Sequence, residues 1–87
     1  MHERGIVRSL VHRLEQAAGD AGAQRIKSAQ VWLGALSQFS AEHFREHFAE
    51  EARGTRAQGA ALDIEVSTDA LHPSAQQVIV RSVDLEV

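Results

Sequence analysis

The sequence predicts an α/β chain of the α+β kind: two helices packed on one face of a three-stranded mixed sheet, in the order helix, strand, helix, strand, strand. Apolar residues recur at helical spacing near the start and again after Ser40, and they alternate at strand spacing in between and towards the end. Each element is apolar on one side only, so each needs a neighbour to cover that side.

Ile6, Val7, Leu10, Val11, Leu14, Ala17 and Ala18 repeat with a period near 3.6 and predict a first helix over about residues 4–18. Gly19 and Gly22, with Asp20 between them, supply its stop and turn. Arg25 to Leu36 reads as a strand, with Ala29, Val31, Leu33 and Ala35 on one face, Gln30 and Trp32 on the other, and Gly34 interrupting its regularity. Ser40 is an N-cap for a second helix running to about Arg53, and Phe39 and Phe44 are spaced for a hydrophobic staple. Phe44 and Phe48, four apart, share the face that meets the sheet.

Gly54 and Gly59 bracket a loop. Leu62, Ile64 and Val66 then alternate with Asp63 and Glu65 as a half-buried strand. Residues 69–76 hold the single proline and form a connection. Val78 to Val87 is the last strand. Val78 and Val80 have one parity and Val83 and Leu85 the other, which calls for a bulge near Arg81–Ser82. The strand–helix–strand crossover makes the first two strands parallel, and the last returns antiparallel.

Eighty-seven residues predict a single domain with a modest core and little room for a deep substrate cleft. A net charge of −3, with the nine Lys and Arg residues scattered, argues against nucleic acid as a partner. The absence of cysteine removes disulfides, thiolate chemistry and Cys-ligated zinc, and agrees with a reducing compartment. Charged residues interrupt the apolar positions from the start, so neither a signal peptide nor a membrane span is expected and the cytoplasm is the default location.

Two stretches carry candidate metal ligands. His43, Glu46 and His47 spell H-x-x-E-H, the string of an inverted zinc-protease motif. Residues i and i+4 stack on one helix face, so His43 and His47 can reach one ion. Hydrolysis would further need a third protein ligand, a groove and an open coordination position. The plainer reading is two partly exposed histidines on an acidic face with Glu42, Glu46 and Glu50, or an auxiliary metal site.

At the other stretch, Met1-His2-Glu3, a free α-amine, the deprotonated amide of His2 and its imidazole close two adjacent chelate rings. Glu3 can supply a fourth donor. Square-planar, nitrogen-rich coordination favours Ni(II) or Cu(II) over Zn(II). The plain alternative is a frayed terminus without a role.

MHE at the start, VRSL in the first helix, AGAQRIKSAQVWLGALS, SAEHFREHFAEEARGT, QGAALDIEV and the closing VIVRSVDLEV together resemble the nickel-insertion accessory proteins of [NiFe]-hydrogenase maturation. The resemblance runs in order along nearly the whole chain. It implies a nickel metallochaperone rather than an enzyme, with Met1, His2 and Glu3 as the nickel site. It also implies the hydrogenase large subunit and a nickel-accessory GTPase as partners. That family carries a zinc lobe with two CxxC motifs between its last two strands. Here DALHPSAQ, residues 69–76, stands at that place, so the expectation is a nickel domain alone, without zinc.

With both helices on one side, the other side of the sheet is expected to be open, with Trp32 and Ile79 pointing there as anchors for a homodimer or partner interface. The alternative function is a metal-free interaction or assembly subunit that keeps the scaffold and uses this face.

Overall fold

Val7, Leu10, Val11, Leu14 and Ala18 are all buried, and they form one stripe of an amphipathic helix. The computed structural model describes residues 3–87, with side chains from Arg4 onward. In it this stripe belongs to α1 (Glu3–Asp20), followed by β1 (Arg25–Leu33), α2 (Ala41–Ala52), β2 (Ala61–Val66) and β3 (Val78–Glu86). The expected element order holds. Gly22 takes φ +72°, the left-handed conformation that turns the chain from α1 into β1, while Ala23 N–H donates back to the carbonyl of Ala18 at 2.9 Å.

The sheet order is β2-β1-β3, with β1 parallel to β2 and antiparallel to β3. Ala29, Val31 and Leu33 of β1 face the helices, where they join Phe39, Phe44, Phe48 and Ala52 in one core. Leu62 and Ile64 from β2 and Val78, Val80 and Leu85 from β3 pack at its margin. The sheet register pairs Gln30 with Ser82 and Val31 with Val80, leaving Arg81 as the extra residue of the expected bulge. A second irregularity, skipping Lys27 between Ile26 and Ser28, turns Ile26 onto the core face despite its parity.

Two expectations are corrected. The first strand ends at Leu33 rather than Leu36. Gly34 N–H still donates to Gln77, but Ser37 N–H donates back to Gly34 at 3.0 Å, closing a turn that takes Ala35 out of the strand. Trp32 does not stand open on the far face of the sheet: it is 4 % exposed. Residues 69–76 fold back across that face, so that the His72 ring lies 4.9 Å from the indole, and the Arg81 guanidinium carbon sits 5.7 Å from it. The exposure on which the Trp32 and Ile79 interface rested is absent for Trp32, and Ile79, paired with it across β1–β3, is half-buried.

Candidate metal centre

The two helices run in the same sense, and ion pairs step down both together. Arg4 meets Glu50 at 3.6 Å, Arg8 meets Glu51 at 3.3 Å, and Arg56, just beyond α2, meets Glu15 at 2.7 Å. Arg4, in the first turn of α1, thus reaches Glu50 in the last turn of α2. Each surface pair adds a fraction of a kcal/mol, roughly 0–1. Their shared order fixes the alignment of the helices more than it adds stability.

The start of α2 is locally well defined. Ser40 has extended backbone (φ −83°, ψ 161°), and its hydroxyl oxygen accepts the N–H of His43 at 3.0 Å. Phe39 meets Phe44 edge-on at 5.6 Å between ring centroids, the expected staple, and Phe44 lies 6.1 Å from Phe48. With the phenylalanines buried, His43 is exposed and His47 half-buried at the border of the core. The two imidazoles meet: their Nε2 atoms are 2.9 Å apart and their ring centroids 4.5 Å, tilted by 48°. The His43 ring also lies 6.3 Å from that of Phe39.

Met1, His2 and the side chain of Glu3 lie outside the described residues. Among the described residues no cluster of three or more His, Asp or Glu side chains is arranged to hold a metal ion. The H-x-x-E-H string thus brings His43 and His47 together without a third ligand from the described part of the chain, and the protease constellation does not assemble there. Sequence reasoning gave the spacing of the two histidines. It did not give the meeting of their rings, which depends on side-chain rotamers.

The connection between β2 and β3 is folded by bonds of its own and tied to the turn that follows β1. Asp69 accepts from Leu71 N–H at 3.0 Å, His72 Nδ1 from Ser74 N–H at 2.9 Å, and the carbonyl of Ala75 from Leu36 N–H at 2.7 Å. This short segment links β2 to β3. Among the described residues, no helix is long and apolar enough to cross a membrane.

Comparison with known proteins agrees with this architecture. Residues 1–82 match the family model described as hydrogenase/urease nickel incorporation, metallochaperone, HypA. The hydrogenase maturation factor HypA of Chlorobium limicola is 40% identical over 65 residues, 75% of this chain and 56% of that protein. The factor of a Roseiflexus species is equally similar, over 75% of this chain and 53% of its own length. The chain thus spans little more than half the length of the curated relatives it matches. The solution structure of the Ni metallochaperone HypA from Helicobacter pylori superposes with a TM-score of 0.79 at 19% identity, covering 99% of this chain and 98% of that one. At that identity the likeness establishes the fold.

Proposed function

Because the chain belongs to the HypA family of hydrogenase/urease nickel-incorporation metallochaperones, we propose that it carries Ni(II) as cargo on Met1, His2 and Glu3 and helps to deliver it during [NiFe]-hydrogenase maturation. The observation that carries this reading is the family match, which begins at Met1 and includes the Met-His-Glu sequence. The chemistry of those donors supports it. An α-amine, a deprotonated amide and an imidazole, in this order, form adjacent chelate rings that hold a square-planar ion. A fourth donor comes from Glu3.

On this reading residues 1–87 are the nickel domain, and residues 69–76 take the place of the zinc lobe. Without cysteine the chain has no thiolate for such a lobe, so zinc is not part of the proposal. The partners proposed are the hydrogenase large subunit and a nickel-accessory GTPase, met in the cytoplasm. The role is transfer rather than catalysis.

A Ni(II) titration by calorimetry with absorption spectroscopy tests the reading. Protein with a free Met1 amine is expected to show a square-planar nickel spectrum that His2→Ala abolishes, as does any residue added ahead of Met1. A nickel spectrum unchanged by both alterations would reject the N-terminal site and place the metal elsewhere on the chain, whereas no nickel spectrum in the unaltered protein would leave the metal-free assembly subunit as the better account of the scaffold.

A further inference from the structure

We propose that His43 and His47 form a second divalent-metal site on α2, a two-imidazole chelate for Ni(II) or Cu(II), separate from Met1-His2-Glu3. The proposal stands on the geometry of the pair and does not depend on the N-terminal reading.

The separation of the two Nε2 atoms, a hydrogen-bond distance in the metal-free pair, is also one that two ligands of a single ion can take. A metal–imidazole bond is about 2.0–2.1 Å, so two such nitrogens at adjacent corners of a square or octahedron lie about 2.9 Å apart, and at two corners of a tetrahedron about 3.3 Å. The observed 2.9 Å matches the right-angled arrangement. Square-planar and octahedral coordination belong to Ni(II) and Cu(II), whereas structural Zn(II) takes a tetrahedron.

The pair is pre-arranged by its surroundings. His43 sits in the helical turn that Ser40 caps, beside the Phe39 ring, and His47 is half-buried next to Phe48. Less side-chain freedom is lost on binding than for two free surface histidines. Glu42, Glu46 and Glu50 lie exposed on the same helix and favour a cation there. In the absence of metal, the 2.9 Å contact is a hydrogen bond in which one Nε2–H donates to the other ring. For both lone pairs to face an ion, the donating ring moves that hydrogen to Nδ1. Two imidazoles fill two coordination positions, and further donors complete the sphere.

The test uses full-length protein carrying an added Gly-Ser ahead of Met1 together with His2→Ala, which disables the N-terminal chelate. Ni(II) calorimetry is combined with Cu(II) electron paramagnetic resonance. This protein is expected to bind one ion per chain, with a copper spectrum showing imidazole nitrogen. His43→Gln and His47→Gln, each added to it, are expected to weaken binding at least tenfold while circular dichroism stays unchanged. Unaltered protein with a free terminus is expected to bind two ions.

Absence of binding in the terminally blocked protein overturns the second site, as does binding that both glutamine variants leave intact. One ion per unaltered chain, lost with either His2→Ala or His47→Gln, also overturns it, because the ligands then belong to a single shared site. If the N-terminal reading alone is wrong, the blocked and unaltered proteins both bind one ion and only the glutamine variants lose it.

Discussion

A Cβ at position 34 would lie 2.1 Å from the carbonyl oxygen of Ala75. Gly34 is therefore the point where the backbone that follows β1 touches the backbone of the β2–β3 connection. The carbonyl carbon of Ala75 and the carbonyl oxygen of Ser74 stand within 2.8 Å of the same position, so no rotamer relieves the clash. Gly34→Ala must push the connection off the sheet. It is expected to lower stability towards the upper end of the roughly 1–3 kcal/mol seen for overpacking. Urea unfolding monitored by circular dichroism checks this. A midpoint equal to that of the unaltered protein would mean that the connection moves freely.

The same connection covers the single tryptophan. His72 and Arg81 both lie against Trp32, and Arg81 is in turn held by Glu65 at 3.3 Å. Removing the imidazole with His72→Ala opens one side of the indole to water. The expected outcome is a red shift in Trp32 fluorescence and a loss of about 0.5–1.5 kcal/mol, the worth of an aromatic contact. Arg81→Ala should produce a smaller shift. An unchanged emission maximum in His72→Ala would show that the ring does not shield the indole in solution.

Much of this architecture was legible in the sequence, for identifiable reasons. The helices and β2 could be read because one buried face imposes its period on the residues. The Arg81 bulge could be read because a parity switch between Val80 and Val83 has few other causes. The covering of Trp32 could not. Residues 69–76 contain turn formers and one proline, with no apolar period to show which surface they lie on, and their placement follows from tertiary bonds such as that between Leu36 and Ala75. The end of β1 was overrun because Ala35 continues the alternation past Gly34, and pattern alone gave that residue too much weight. At the candidate metal centre the i, i+4 spacing was visible, whereas the 2.9 Å contact required the rings themselves.

Glu15 closes the far end of the molecule. One carboxylate oxygen accepts the backbone N–H of Arg56 at 2.7 Å, the other meets its guanidinium at 2.7 Å, and Arg56 Nε donates to the carbonyl of Ala23. The Arg56 carbonyl in turn accepts from Ile26 N–H. One carboxylate thus ties α1, the start of β1 and the loop after α2. Glu15→Ala is expected to cost about 1–3 kcal/mol, because charged hydrogen bonds are lost and a backbone donor is left unmatched. Glu15→Gln keeps one acceptor and should recover part of the loss. Equal destabilisation by both variants would assign the effect to charge instead of the backbone bond.

Ser40 offers a test that joins stability to the histidine pair. Its hydroxyl accepts the N–H of His43, so the first turn of α2 and the first of the two imidazoles share one anchor. Ser40→Ala is expected to cost about 1 kcal/mol, and Ser40→Asp to restore it, since aspartate caps as well and its charge suits a helix N-terminus. The loss should be local. In hydrogen exchange, amides in the first turn of α2 should exchange faster in Ser40→Ala, while those of β1 change no more than the global stability requires. Nuclear magnetic resonance should also show the His43 ring signals shifting and His47 following them, because their Nε2 atoms are in contact. If His43 shifts while His47 does not, the two rings are not paired in solution.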